Sequence, residues 1–409
     1  MFIQRLRLRN IRGFEDFDVN LTSGGSSRAV TLVIGRNGTG KSTLLRALGL
    51  GLAQLSSANA LLTELLGKYI VREGRDEGQI EVDLVDQKGE THKISRRLRP
   101  ESNGASVISS DNEPFEAPFI IGFGAGRSGD GPEPGPGYST VETLYSLFDY
   151  NGTFIQPELT IRRLRDYVGT KRYESVMKGV RQFLGLTARD QIRVVRGGGV
   201  TITGPSAARA MAPGPQSRRT IPLSAWADGY RISLNWILDI YAWAMKHGDA
   251  LDRDGQVQGI LLIDEIEQHL HPSMQAGVLS NLGLLFPRMQ VIATTHSPLV
   301  ALGAQPEDVI SLHREGTKVR AYHVPNFMGY SAEDMLTSAE LFETPPYSPH
   351  TTELFLEYRR LAAVSAPEAG QRKKLREIVR ELSALRFALP SSDRRVLHLE
   401  ERVRNLLDD

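Results

Sequence analysis

Apolar and polar residues alternate from Phe2 to Leu8 and again from Phe17 to Leu21, the period of two that predicts half-buried strands. Thr31-Leu32-Val33-Ile34 lacks that alternation and predicts a strand buried on both faces, while Ser42 to Leu52 carries leucines at helical spacing. Gly78–Asp86 and Glu90–Leu98 predict a hairpin closed by Gln87-Lys88-Gly89. Pro118–Phe123 predicts another buried strand, and the Gly/Pro-rich GAGRSGDGPEPGPGYS after it predicts a surface loop.

Further along, Pro157–Leu186 predicts two helical segments split at Val168-Gly169-Thr170. Ile192–Val195 and Val200–Ile202 read as short strands, Pro205–Arg219 as a loop, and Tyr230–Lys246 as a long helix. Gly259–Asp264 and Gln290–Thr294 are apolar runs with a helical pattern between them, the β-α-β order of a parallel sheet. Val309–Leu312 and Lys318–Val324 form a last strand pair. Beyond Pro325 the pattern becomes charged and helical, at Glu353–Ala363, Gln371–Leu385 and Arg394–Leu407.

Composition narrows the classes. With 49 Lys+Arg against 48 Asp+Glu the net charge is +1, so any nucleic-acid surface must be a local patch. Arg5, Arg7, Arg9, the Lys93/Arg96-Arg97/Arg99 cluster and Arg162-Arg163/Arg165 are such patches, and charge runs of this kind are more often solvated faces. There is no cysteine among 409 residues, which removes disulfides, thiol nucleophiles and cysteine zinc cages. The opening residues have no signal-peptide core, and no apolar run approaches the roughly 18–20 residues of a membrane span. The expectation is a soluble, cytoplasmic protein without membrane contact.

Chemistry concentrates at three strand ends. Gly35, four residues, then Gly40-Lys41-Ser42 and Thr43 fit the phosphate-loop spacing, with a strand before and a helix after. Glycines there let the backbone N–H groups of Arg36, Asn37, Gly38, Thr39 and Gly40 wrap a phosphate chain at a helix N-terminus. Lys41 would reach the β/γ-phosphates of ATP and Ser42 would ligate Mg²⁺. Ile260–Ile263 ends in Asp264-Glu265, at the strand end where a doubly wound sheet places ligands. Asp264 would hold the metal and Glu265 would orient or deprotonate the attacking water. His296, in Thr294-Thr295-His296-Ser297-Pro298, would hydrogen-bond the γ-phosphate or that water. His269 and His271 tempt a metal reading, but their i, i+2 spacing and Pro272 favour loop or subunit-contact residues.

These segments, in this order, resemble the ATP-binding-cassette (ABC) ATPases, in the branch of the structural-maintenance (SMC), RecF and OLD-type proteins. Leu8-Arg9-Asn10-Ile11-Arg12-Gly13-Phe14 looks like that branch's opening, in which the arginine, here Arg12, approaches the nucleotide. Asp264-Glu265 with Gln268-His269-Leu270-His271-Pro272 is similar to its extended acid motif, and His296 matches its switch histidine. Leu223-Ser224-Ala225-Trp226-Ala227-Asp228-Gly229-Tyr230-Arg231 looks like its signature loop, with extra residues between Leu-Ser and Asp-Gly. Either Ser224 is the signature serine or Ala227 stands in its place, with Asp228 and Gly229 retained. Phe123-Gly124-Ala125-Gly126-Arg127-Ser128 resembles a segment of stand-alone bacterial members, which makes Arg127 a candidate phosphate or interface arginine beside the plain reading of a solvated loop arginine.

The resemblance implies an α/β fold: an ABC-ATPase head with a mixed central sheet, an antiparallel β subdomain, a helical signature subdomain and a small C-terminal helical extension. Residues 1–330 would form the head, with 1–125 and 250–330 as its nucleotide-binding core and 150–248 as the helical signature part. Residues 331–409 would contact a partner or a second copy, or form a solvated helical cap on the head. ATP held between one subunit's phosphate loop and the other's signature implies a head-to-tail homodimer. No long coiled coil separates the motif halves, and no nuclease-like D-x-D element follows His296. Size and the Leu147-Phe148-Asp149 and Ser348-Pro349 segments resemble the Septu and retron-associated ATPases of antiphage systems, which implies a separate effector such as a nuclease. The alternatives are a RecF/SMC-like repair ATPase acting on DNA directly and a nucleotide-sensing scaffold with negligible turnover.

Overall fold

A computed structural model describes residues 1–23, 26–62, 70–86, 88–100, 106–110, 118–127, 131, 135, 137–195, 199–205, 219–226, 228–324, 326–364 and 368–384. In chain order its elements begin with β1 (Phe2–Ile11), β2 (Phe14–Asn20), a short ribbon of β3 (Thr22–Ser23) and β4 (Ser26–Ser27), and β5 (Val30–Gly35). There follow α1 (Lys41–Leu52), α2 (Leu55–Leu61), β6 (Gly78–Val85), β7 (Thr91–Pro100), β8 (Ser106–Ser110), β9 (Ile120–Phe123) and α3 (Thr140–Phe148). The middle of the chain supplies α4 (Pro157–Val168), α5 (Thr170–Phe183), β10 (Gln191–Val194), β11 (Val200–Gly204), β12 (Arg219–Pro222) and α6 (Asp228–His247). Then come β13 (Gln258–Ile263), α7 (Pro272–Gln275), α8 (Val278–Leu285), β14 (Arg288–Thr294), α9 (Pro298–Leu302), β15 (Val309–Glu315) and β16 (Lys318–His323). The last are α10 (Ala332–Thr337), α11 (Pro349–Ala362) and α12 (Ala369–Ala384).

The central sheet runs β16-β15-β5-β14-β13-β9, parallel except for β16 at one edge. The parallel strands β5, β9, β13 and β14 lack polar alternation because both faces are covered. Val33, Ile260, Leu262 and Ile292 face one core, shared with α1 and the antiparallel sheet β2-β1-β6-β7-β8. Leu32, Ile34, Leu261, Ile263 and Val291 face the other, shared with α4, α5, α6 and α8. Sheet and sheet are latched by Gln290, whose Oε1 accepts from Ile3 N (2.6 Å) and whose Nε2 donates to Ile3 O (2.9 Å). Gly51 lets α1 press onto the antiparallel sheet, since a Cβ there would lie 2.9 Å from Val82 Cγ2.

Several elements fall outside the apolar patterns, α3, β8 and β12 among them. β8 and β12 are short and pair at sheet edges, and β12 begins at Arg219, where the sequence predicts the end of a loop. α3 starts directly after the Gly/Pro-rich stretch, capped by Ser139 Oγ, which accepts from Glu142 N. Most of the loop predicted over 205–219 and the helix predicted over 394–407 lie outside the described residues.

The chain divides into two compact units, Met1–Phe342 and Glu343–Asp409. In the second, α11 and α12 pack Leu354 and Leu361 against Ile378 and Leu382. Among the described residues no helix is long and apolar enough to cross a membrane.

Candidate functional site

Strands β5, β14 and β13 lie side by side and parallel, so their carboxyl ends open on the same edge of the sheet. β5 delivers the glycine loop. Gly35, Gly38 and Gly40 take φ of 147°, 79° and 97°, a region costly for side-chain-bearing residues. A Cβ on Gly40 would also meet the Phe14 ring at 2.8 Å. The first turn of α1 has no side-chain cap, which leaves its N–H groups for an anion. Arg36, Asn37 and Gly38 are exposed at the loop's mouth, and Thr39 Oγ1 tightens it by donating to Arg36 O (2.8 Å). Ser42 is half-buried beside Lys41, and Thr43 is buried.

Lys41 is folded back onto the loop, donating from Nζ to Gly35 O (2.7 Å) and Arg36 O (3.2 Å). Burial pulls its ammonium down to about 8, opposed by the charges of Asp264, Glu265 and Glu267. Arg12 is half-buried, with its backbone at φ 45°, and its pKa is lowered by burial and then by the like charge of Arg46. A lysine ammonium at an uncapped helix start fits a polyphosphate.

β13 delivers the acids. Asp264 is 6% exposed, and its Oδ1 accepts from Thr294 Oγ1 at 2.5 Å. The same hydroxyl accepts from Glu265 N (2.9 Å), so one side chain of β14 holds both acid residues. Glu265 sits at φ 48°, left-handed for a residue that gains nothing from it. Its carboxyl is raised above the usual range, first by burial and then by Asp264 and Glu267. The oxygen donors of Ser42 and Asp264 are of the hard type that suits Mg²⁺.

β14 delivers His296, half-buried, with its pKa lowered by burial and then by Lys41, so the imidazole is neutral at pH 7. Glu267 holds this loop in place: Oε1 accepts from His296 N and Oε2 from Thr295 Oγ1, both at 2.6 Å. Glu267, Thr294 and Thr295 were not singled out from the sequence. Glu267 stands two residues from Glu265 in a run already rich in acids, and only the fold shows which strand end each acid serves.

Arg127 corrects the solvated-loop reading. It is 2% exposed, and its guanidinium donates to the carbonyls of Gly124, Asp264 and Glu265 rather than facing a phosphate or solvent. His271 caps α7, its Nδ1 accepting from Ser273 N (3.3 Å), and neither it nor His269 joins a metal-type cluster among the described residues. The segment that resembles a signature loop is a 3-10 turn, Leu223–Ala225, with Ser224 exposed, then buried Trp226 stacked edge-on against Tyr230. Asp228 opens α6, exposed and paired with Arg231 at 2.9 Å, and Gly229 lies against the carbonyl of His269, where any Cβ would collide. Ala227 lies outside the described residues.

Much of the N-terminal basic patch is spoken for. Arg5 pairs with Asp18, Arg7 with Glu81 and Asp83, Lys93 with Glu81, and Arg99 with Glu77. Arg96 is buried and donates to Ala53 O (3.0 Å). Arg162, Arg163 and Arg165 are exposed on α4.

Fold and site together define an α/β head with a phosphate-loop nucleotide site at the carboxyl ends of its parallel strands. Two AAA-domain family models match the chain, one over residues 5–116 and another, whose description also carries the AbiEii toxin and Type IV TA systems, over residues 216–302. The Septu protein PtuA of Bacillus mycoides (strain KBAB4) is 27% identical over 395 residues, 93% of this chain and 50% of that protein. The Retron Vc95 probable ATPase of Vibrio cholerae serotype O1 biovar El Tor is 30% identical over 125 residues, 30% of this chain and 24% of that protein. This chain thus spans half or less of the length of these relatives. The SMC head domain from Thermotoga maritima covers 80% of this chain and 100% of its own, at 14% identity and TM-score 0.45.

Proposed function

We propose that this chain binds and hydrolyses ATP as a head-to-tail dimer, in the cytoplasm, and thereby regulates a separate effector, a nuclease, in bacterial antiphage defence. The observation that carries the reading is the gathering of Lys41, Glu265 and His296 at the ends of three neighbouring parallel strands. Lys41 leaves the Gly35 and Arg36 carbonyls to neutralise the β/γ-phosphates, with Arg12 adding charge and the N–H groups from Arg36 to Thr43 cradling the chain. Ser42 and Asp264 would hold Mg²⁺, which when bound offsets phosphate charge. Glu265, with its raised proton affinity, takes the proton of the attacking water, and neutral His296 orients that water or the γ-phosphate.

Ser224, Asp228 and Gly229 serve the facing subunit's nucleotide. Two of these, Ser224 and Asp228, are exposed, as a contact made in trans requires. The two relatives carry the Septu and retron names, and on that similarity the effector and the defence role are proposed for this chain. The direct DNA reading draws on the exposed Arg162, Arg163 and Arg165, while the acid-paired N-terminal arginines speak against a broad phosphate-binding face there.

The test is phosphate release and ATP-dependent association measured on wild type and Glu265→Gln. The proposal expects association in both and phosphate release in wild type alone. Equal release from the two proteins sinks the hydrolysis claim, and a monomer at saturating ATP in Glu265→Gln sinks the dimer.

A further inference from the structure

Arg127 is a buried guanidinium with no carboxylate within ion-pair distance among the described residues, an expensive arrangement unless the cation has backbone work to do. Nη1 donates to Gly124 O (2.9 Å) and Asp264 O (2.8 Å), and Nη2 to Glu265 O (3.1 Å). The carbonyl of Asp264 precedes the φ bond of Glu265, and the carbonyl of Glu265 follows its ψ bond. One planar fork that grips both oxygens therefore restrains both torsions of the residue between them. That residue is held at φ 48°, a conformation costing roughly 1–3 kcal/mol that persists only where the surroundings over-determine it.

The platform under Arg127 is itself fixed. Ser146 Oγ on α3 accepts from Gly124 N (3.2 Å) and donates to Gly122 O (2.9 Å). Gly124 runs so close to the Ser146 carbonyl that no Cβ fits. The loop after β9 is thus bolted to α3 on one side and to the acid residues on the other.

We propose that Arg127 is a positioning residue, whose buried guanidinium locks the backbone of Glu265 and so aims the carboxylates of Asp264 and Glu265. The kinetic half of this rests on the ATP-hydrolysis reading above, and the structural half does not. Lysine keeps the charge but loses the fork, so Arg127→Lys separates geometry from electrostatics. Arg127→Met removes every donor.

The experiment uses the full chain with both variants, amide hydrogen exchange of nucleotide-free protein, and steady-state ATP hydrolysis. Exchange in the segment 263–268 should rise at least about tenfold in Arg127→Lys, with α1 unchanged. The kcat should fall about 10–100-fold, as for loss of outer-shell supports, while KM for ATP stays within about twofold. Unchanged exchange in 263–268, or a kcat loss matched by an equal rise in KM, overturns the proposal. If Arg127→Met does not fold, Arg127→Lys decides. If wild type releases no more phosphate than Glu265→Gln, the hydrolysis reading falls, and the exchange result still decides whether Arg127 holds the acid pair.

Discussion

Asp239 lies in the middle of α6, 4% exposed, where its Oδ1 accepts from Ile155 N at 2.9 Å. Burial raises its carboxyl from 3.8 to about 7, outweighing that hydrogen bond and one to Trp243. The folded chain therefore binds a proton more tightly than the unfolded one. Stability from this group is fully present below about pH 4 and is lost as pH rises through about 7. The gap of about 3 pKa units corresponds to about 4 kcal/mol at about 1.36 per unit. A cavity of about 290 Å³, lined by Asp239, Trp243, Ser146 and Thr153 among others, borders the carboxyl. Water entering it reduces the penalty, so about 2–4 kcal/mol is expected. Asp239→Asn keeps an acceptor for Ile155 N and cannot ionise. The variant should match wild type near pH 4 and exceed it by that amount at pH 8. Urea unfolding followed by tryptophan fluorescence suits the test, because the three tryptophans, Trp226, Trp236 and Trp243, lie in the core that Asp239 enters. Other titrating groups cancel in the difference between the two proteins. A difference that does not change between pH 4 and pH 8 refutes the reasoning.

Glu267→Ala frees Thr295 Oγ1 and His296 N, and kcat for ATP hydrolysis should drop about 10–100-fold with little change in nucleotide affinity, checked by binding of a non-hydrolysable analogue. Equal loss of affinity would mean that Glu267 shapes the nucleotide pocket rather than the switch loop. Gly229→Ala drives a methyl into the His269 carbonyl, and a thermal melt should show a loss of about 1–3 kcal/mol along with weakened ATP-dependent association. An unchanged melt would place the start of α6 away from the acid loop.

The strands and helices that carry chemistry were legible because their signals are local. The glycine loop, the leucines of α1, and the apolar runs ending at Asp264 and Thr294 each declare a strand end or helix start within about ten residues. α3, β8 and β12 were not, because α3 hides behind a Gly/Pro-rich approach and the two edge strands are short and borrow their pairing from neighbours. Among candidate site residues, those proposed to bear the reacting charge stood out by type and spacing. Those acting through a partner did not. Glu267 read as one more acid, Thr294 as a strand end, and Arg127 as a phosphate, interface or solvated loop arginine rather than a backbone clamp, since hydrogen bonds spanning 28, 30 or 137 residues leave no trace in spacing.

By itself the chain's order of apolar and polar residues determined which segments become parallel strands and which functional side chains end them, because backbone periodicity and loop chemistry are set by neighbours in sequence. Only the tertiary structure decided that β14 runs between the loop strand and the acid strand, and that the arginine after β9 turns inward to grip the acid pair. Those outcomes depend on which faces are covered and which carbonyls are left without a donor, and burial settles both only when the whole head has packed.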